Sequence, residues 1–237
     1  MSLLLTVIIS TLLAGLAMPL GAVIANFEHI QSEWLREEFR HRVMAFGGGA
    51  LLSAVALVLV PEGIENLEPF FAATCFILGG FCFMALDVFL HKMNTPASQL
   101  AAMLSDFIPE SIALGAAFAT GNNNAYLLAG LIALQNLPEG FNAYRELNES
   151  PSYNPLKIII VFILMALLGP IAGVAGLFLL ADSPVIVSAI MLFAAGGILY
   201  SIFQDIAPQV KLEEHWAPPM SALSGFVLGM VGSMLVT

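Results

Sequence analysis

Charge of either sign is scarce in this sequence, and positive charge is the scarcest. Only 10% of the 237 residues are charged, with 7 Lys or Arg against 17 Asp or Glu, which gives a net charge of −10. Soluble domains are usually about 25% charged. The composition therefore excludes an ordinary soluble enzyme and a disordered protein. It also excludes a nucleic-acid partner, because so few cations cannot neutralise a phosphate backbone.

Cysteine is almost absent too, and apolar residues fill the sequence instead. Cys75 and Cys82 are seven positions apart in one apolar run, so they share a helix face and cannot pair within that helix. Hydrophobic residues make up 59% of the chain, and a helical span needs roughly 20 of them in a row. Eight such blocks occur, at about 3–26, 43–61, 70–91, 98–120, 124–146, 156–181, 184–208 and 217–236. We predict an all-α integral membrane protein with eight transmembrane helices in a lipid bilayer, forming a single transmembrane domain over residues 1–237.

The basic residues predict the orientation of these spans. All seven lie in or beside odd-numbered connections, at Arg36, Arg40, Arg42, Lys92, Arg145, Lys157 and Lys211. The even-numbered connections contain neither Lys nor Arg. By the positive-inside rule the odd connections are cytoplasmic, so both termini lie outside. The plasma (inner) membrane is the expected location.

Two segments of the chain resemble each other. Residues 46–62 read FGGGALLSAVALVLVPE, and residues 193–209 read FAAGGILYSIFQDIAPQ. Each begins with Phe and small residues, and each has Pro fifteen positions after the Phe. The first segment lies on span two and the second on span seven, which run in opposite directions. An inverted repeat of this kind is common in secondary transporters; chance similarity between two apolar helices is the alternative.

Carboxylates stand in the middle of spans four and five. Span four contains DFIPES, with Asp106 and Glu110, and span five contains QNLPEG, with Gln135 and Glu139. In each motif the polar side chain precedes the carboxylate by four positions and shares its helix face. The turn between the two spans is centred near residues 122–123. In an antiparallel hairpin, residues equally far from the turn lie at the same depth, so their numbers sum to about 245. Asp106 is therefore paired with Glu139, and Glu110 with Gln135.

These side chains point to a cation path. Each charge near the bilayer centre costs roughly 2.5–3.5 kcal/mol and normally marks a substrate or proton pathway. A bound divalent cation would remove the repulsion between the carboxylates. Pro109 and Pro138 also leave backbone oxygens free beside the cluster. The alternative is a buried polar network that only holds the helices together.

The two motifs and the eight spans resemble the ZIP family of divalent metal transporters. The resemblance implies an inverted arrangement of helices 1–3 and 6–8 around a central hairpin of helices 4 and 5, with a metal site between those two helices. It implies Asp106, Glu110, Gln135 and Glu139 as primary ligands, and it places Asn136 at a second, adjacent metal site. The chain departs from the family where Asp106 replaces a His and Phe107 replaces an Asn.

The expected function follows from this resemblance and its departures. The metal ion is the substrate, of the Zn, Mn, Fe or Cd class, and no cofactor or enzymatic activity is expected. A site made only of oxygen ligands favours binding of Mn²⁺ or Fe²⁺ over selective binding of Zn²⁺. A metal-binding membrane sensor that does not transport is the alternative, and a homodimer is left open.

Overall fold

The computed structural model describes residues 2–28, 33–93, 96–119, 121, 124–148, 153–180, 183–210 and 216–236. Within these ranges all regular structure is helical. The α-helices are Leu3–Phe27 (α1), Glu33–Ala54 (α2), Val60–Ile64 (α3), Pro69–Met93 (α4), Pro96–Ala119 (α5), Asn124–Asn148 (α6), Pro155–Ala166 (α7), Leu168–Leu180 (α8), Pro184–Ser201 (α9), Ala207–Gln209 (α10) and Ala217–Val236 (α11). Two π-helices, Val55–Leu59 and Ile202–Ile206, continue α2 into α3 and α9 into α10.

Seven helices in the described part of the chain are long and apolar enough to cross a membrane. Seven of the eight predicted blocks correspond to these helices, and they support the prediction of a helical membrane protein. The predicted fifth span, α6, is long enough but too polar to meet the same criterion. From its middle onward it carries four uncharged or acidic polar side chains, at Gln135, Asn136, Glu139 and Asn142.

The packing around α6 explains how such a polar helix fits in this bundle. It contacts α1, α2, α5, α7 and α11. The side chains of Gln135, Asn136 and Asn142 are all less than a tenth exposed. Apolar helices therefore separate these polar groups from the surface that lipid would cover.

Proline accompanies an irregular turn in three of the spans. The amide of Val60, just before Pro61, donates to the carbonyl of Val55, five residues back. A proline ring crowds the carbonyl four residues before it, which favours such a π-turn. The same step occurs before Pro208. Pro170 lies just after the break between α7 and α8.

Close contacts between helix backbones occur where glycine replaces a side chain. A Cβ at Gly49 would collide with the carbonyl of Ala222, so α2 and α11 touch along their backbones. A Cβ at Gly196 would likewise collide with the carbonyl of Phe76, where α9 meets α4. Small residues permit this close packing of membrane helices.

Candidate cation site

The hairpin of α5 and α6 joins Glu110 directly to Gln135. The amide nitrogen Nε2 of Gln135 donates to both carboxylate oxygens of Glu110, at 2.6 Å each. Glu110 is 2% exposed and Gln135 is 3% exposed. This contact confirms the predicted pairing of the two residues at equal depth.

The other end of the Gln135 amide has no such partner. Its oxygen Oε1 is buried and accepts no hydrogen bond from any described residue. A buried acceptor without a partner costs free energy. Other atoms of Gln135 line a cavity in the bundle, whereas this oxygen is enclosed by protein.

The cavity has a volume of about 290 Å³ and extends from Gln135 toward one end of the bundle. Its lining includes helix ends that border the connections carrying Lys and Arg, and we call this the basic end. The other end of the bundle is the opposite end. Polar and charged side chains of the lining are Asp87, His91, Ser105, Asp106, Gln135, Glu139, Asn142, Glu146, Tyr200, Ser201 and Asp205.

Three carboxylates lie near one another at the inner part of this cavity. Asp106 lies beside Asp205 and the hydroxyl of Ser201. Glu139 interacts electrostatically with Asp106, Glu110 and Asp205. The predicted pairing of Asp106 with Glu139 therefore agrees with their proximity, and Asp205 adds a third carboxylate from the π-helix of span seven.

The carboxylates are spread along the cavity wall rather than drawn around one point. Among the described residues, no three His, Cys, Asp or Glu side chains are close enough together to enclose a metal ion. An ion here would need the amide oxygen of Gln135 or water to complete its coordination. Large hard cations accept such mixed oxygen ligands readily.

The predicted site residues fall into two groups in the structure. Asp106, Gln135 and Glu139 line the cavity, whereas Glu110 and Asn136 do not. Asn136 is buried and donates from Nδ2 to the carbonyl of Ala14 in α1, at 2.9 Å. Its assignment to a second metal site stays a prediction.

Phe107 occupies the region where the family resemblance implies an Asn. Its ring is 1% exposed and packs into space that a Cβ at Gly15 or Gly169 would fill. Phe107 thus wedges α5 against α1 and α8. Phe107 contributes to core packing between these helices.

Sequence reasoning missed the Tyr200 hydroxyl of the cavity and an arginine bonded to two of the lining residues. Tyr200 donates from its hydroxyl to Oδ2 of Asp87 at 2.9 Å. Near the mouth, Arg40 donates from Nε to Oδ1 of Asn142 at 2.7 Å and pairs with Glu146 at 3.2 Å. The signal for Arg40 was present, because it stands just before an apolar block.

A smaller polar cluster lies at the opposite end. Glu62 is only 7% exposed, although its position in a loop-like PEGIE segment suggests a solvated charge. The hydroxyl of Ser188 donates to the backbone carbonyl of Glu62 at 3.3 Å and accepts from Nδ2 of Asn66 at 3.2 Å. These contacts join the end of span two to the start of span seven.

Comparison of the chain with known proteins does not identify a family for it. No protein-family model matches the chain, and no curated protein is significantly similar to it. The resemblance to the ZIP family therefore rests on the two motifs and the order of the predicted spans alone.

Proposed function

We propose that this chain is a ZIP-like transporter that moves divalent metal cations of the Zn, Fe or Mn class into the cytoplasm. The observation that carries the proposal is the cavity inside an apolar helical bundle, lined by Asp106, Glu139, Asp205 and Gln135. Carboxylates placed within a membrane normally mark a pathway. A divalent cation among them would offset their repulsion.

The position of the cavity supports transport toward the basic end. The positive-inside rule would place that end in the cytoplasm, with both termini outside and the plasma (inner) membrane as the expected location. Toward the opposite end the hairpin carries Leu114 and Leu131, both at most 1% exposed. This apolar packing separates the site from that end. A cation beside Gln135 would thus be released through the cavity, and its entry would need a conformational change.

The proposed inverted repeat gains support from the irregular turns. The π-helices Val55–Leu59 and Ile202–Ile206 are 147 positions apart, the same interval that separates the two similar sequence segments. Two unrelated apolar helices would not be expected to carry π-helices at corresponding positions, because π-helices are rare.

Helix contacts support the same repeat. A Cβ at Gly225 of α11 would collide with the carbonyl of Phe46 in α2. A Cβ at Gly79 of α4 would collide with the carbonyl of Phe193 in α9. Phe46 and Phe193 are again 147 positions apart, so span two meets span eight as span seven meets span three. This is the arrangement expected if spans 1–3 and 6–8 are related around the α5–α6 hairpin.

The donor atoms favour cations that accept oxygen ligands. Carboxylates from Asp106, Glu139 and Asp205, with the Gln135 amide, form an all-oxygen set; His91, near the end of α4, is the cavity's imidazole among the described residues. Such a set suits Mn²⁺ or Fe²⁺ better than a site built for zinc alone. We therefore expect broad selectivity with good use of Mn²⁺. A homodimer stays open in this proposal.

The tight packing of Phe107 favours one second candidate, a metal-binding sensor that does not transport. Because this ring fills space left by Gly15 and Gly169, it would resist sliding of α5 along α1 and α8. A sensor would bind the cation in the same cavity without releasing it across the membrane.

Uptake by proteoliposomes distinguishes these candidates. Purified protein is reconstituted, and entry of Mn²⁺, Fe²⁺, Zn²⁺ and Cd²⁺ is followed for the unaltered chain and for Glu139→Gln and Asp106→Asn. Each substitution removes a charge from the cavity while keeping side-chain size. We expect each to lower uptake by at least about tenfold, the lower limit for disturbing a metal site even indirectly. Glu68→Gln is the matched control, because Glu68 is an exposed carboxylate outside the cavity.

Three results are decisive. Uptake that depends on Glu139 and Asp106 but not on Glu68 supports the transporter. Binding of cations without uptake by the unaltered chain supports the sensor and contradicts transport. Uptake that is unchanged by both cavity substitutions contradicts the proposed site.

A further inference from the structure

The negative charge along the cavity exceeds what one divalent cation can offset. Four of the lining carboxylates come from four different spans, at Asp87, Asp106, Glu139 and Asp205. Within the described part of the chain, none of the four forms an ion pair with Lys or Arg. Glu146 is instead paired with Arg40. When all four are ionised, one divalent cation offsets only half of their charge.

These four carboxylates form a row rather than a ring. Asp205 interacts electrostatically with Asp87 at one side and with Asp106 and Glu139 at the other. Counted along each helix from the basic end, Asp205 lies roughly 6 Å deep and Asp106 roughly 15 Å deep. Since no three His, Cys, Asp or Glu side chains of the described residues could enclose one ion, the row suits a cation whose charge is spread along its length.

Apolar side chains line the same cavity. They include Leu51 of α2, Phe83 and Leu86 of α4, and Ile206 of span seven. A metal ion of this class takes oxygen ligands and gains nothing from such a wall. An alkylammonium chain can lay its methylene groups along an apolar surface while its charged groups meet carboxylates, as lysine side chains do. The volume of about 290 Å³ lies at the lower end of the range for sites that hold small organic molecules.

We infer that the cavity is also a binding site for linear aliphatic polyamines, which place their ammonium groups along the row of carboxylates and their methylene groups against the apolar wall, and which compete there with divalent cations. Because the cavity extends toward the basic end, a polyamine would enter from that end. The inference goes beyond the proposed function, since it names a second class of ligand and does not require that a metal ion be transported.

The test is calorimetric titration of the purified, metal-free full chain in a neutral detergent. The probes are spermine with four amines, putrescine with two, butylamine with one, and uncharged butanediol. A polycation also associates loosely with any acidic protein, and this chain has a net charge of −10. The titrations are therefore run at physiological ionic strength, which screens such contacts. Spermine is then titrated again in the presence of saturating Mn²⁺.

We expect one spermine to bind per chain. Affinity should rise by about tenfold or more from butylamine to putrescine, and again from putrescine to spermine, because each added amine is held close to the row by the amines already bound. Butanediol should not bind. Saturating Mn²⁺ should weaken the apparent binding of spermine, because both ligands use the same carboxylates.

Two variants separate the polyamine from the metal ion. Asp87→Asn removes one charge of the row at a residue outside the proposed metal ligands, and it should weaken spermine binding by about threefold or more. Leu86→Ser shortens the apolar wall without changing charge, so it should weaken spermine binding by about threefold and leave Mn²⁺ binding within about twofold. Glu68→Gln, an exposed carboxylate outside the cavity, is the matched control and should change neither. Thermal unfolding checks that each variant is folded, and Asp205→Asn replaces either one that is not.

The inference fails if spermine binds no tighter than putrescine, or if its binding is unchanged in both cavity variants. It also fails if spermine binds equally well beside saturating Mn²⁺. Failure of the proposed function gives a different result. A chain that binds spermine but neither binds nor moves any of the four metal cations contradicts transport alone. A chain that takes up Mn²⁺ but does not bind spermine contradicts this inference alone.

Discussion

Gly49 offers a direct test of the packing between α2 and α11. A Cβ added there would meet the backbone carbonyl and Cα of Ala222, and backbone atoms cannot turn aside as a flexible side chain can. The Gly49→Ala variant must therefore push the two helices apart. Gly196→Ala should do the same between α9 and α4, where the added atom would meet the backbone of Phe76.

The size of the effect follows from two opposing terms. Overpacking by one methyl group in a close contact typically costs about 1–3 kcal/mol. Replacing Gly by Ala inside a helix returns up to about 1 kcal/mol of helix propensity. We expect the free energy of unfolding to fall by about 1–2 kcal/mol in Gly49→Ala and by a similar amount in Gly196→Ala. For a chain of this size that corresponds to roughly 2–8 °C in Tm.

The assay is thermal unfolding of detergent-solubilised protein, with Gly130→Ala as the control. Gly130 lies on an exposed part of α6, and no described atom outside its own helix lies within 4 Å of an added Cβ. That variant should be unchanged or slightly more stable. Equal Tm values for Gly49→Ala and Gly130→Ala would refute the close contact. A loss in Gly49→Ala with none in Gly196→Ala would argue against equivalent contacts in the two halves.

Two further predictions concern the charges of the basic end. Arg145 pairs with Glu28 at 3.1 Å, and both side chains are less than a fifth exposed, so Arg145→Met should lower the free energy of unfolding by roughly 3 kcal/mol. Arg42 pairs with Glu38 from a half-exposed position, so Arg42→Met should cost less than about 1 kcal/mol; comparable Tm losses in the two variants would contradict this contrast. Arg40 places a positive charge at the cavity mouth, so Arg40→Gln should lower the KM for cation uptake at low salt, with a smaller change at high salt; a raised KM would show that the arginine assists the cation.

The sequence was sufficient to predict most of the helical framework, because span length and hydropathy depend on local composition. The blocks at 3–26, 70–91 and 217–236 match α1, α4 and α11 closely. The turns within spans were not predicted, since whether Pro61 produces a π-turn or a kink depends on how the neighbouring helices pack. The polarity of α6 could be read from sequence, but its shielding by five neighbouring helices is a property of the assembled bundle.

The depth of the site residues along the hairpin could be predicted from the sequence, but the direction in which each side chain points could not. Counting from the turn paired Glu110 with Gln135, and the structure places them in contact. The count could not tell that Asn136, the next residue, faces α1 rather than the cavity. It also treated Glu110 and Gln135 as equal candidates, because which end of an amide meets a carboxylate depends on the three-dimensional hydrogen bonding.

In the α5–α6 hairpin, the sequence motifs and the helix contacts repeat at different intervals along the chain. DFIPES and QNLPEG match when residues 29 positions apart are compared. The backbone contacts match at a different interval. A Cβ at Gly115 would collide with α8, and a Cβ at Gly140 would collide with α1. If the two halves are related as proposed, these two contacts correspond to each other, and the corresponding positions of α5 and α6 are 25 apart. Glu110 and Gln135 are also 25 apart, which would place the proposed two-fold axis between these two hydrogen-bonded residues.

The two intervals differ by about one helical turn. As a result, the hairpin carries carboxylates on the side of the basic end and apolar residues at the corresponding positions toward the opposite end. At an interval of 25, Asp106 corresponds to Leu131 and Glu139 corresponds to Leu114. Both carboxylates line the cavity of the basic end, whereas both leucines are buried toward the opposite end. If the proposed repeats exchanged conformations, a cavity at the opposite end would present the leucines where the carboxylates now stand. A cation would cross that apolar stretch slowly, as in a hydrophobic constriction. Such an asymmetry changes the rates of binding and release at the two ends, while the direction of net transport still follows the electrochemical gradient.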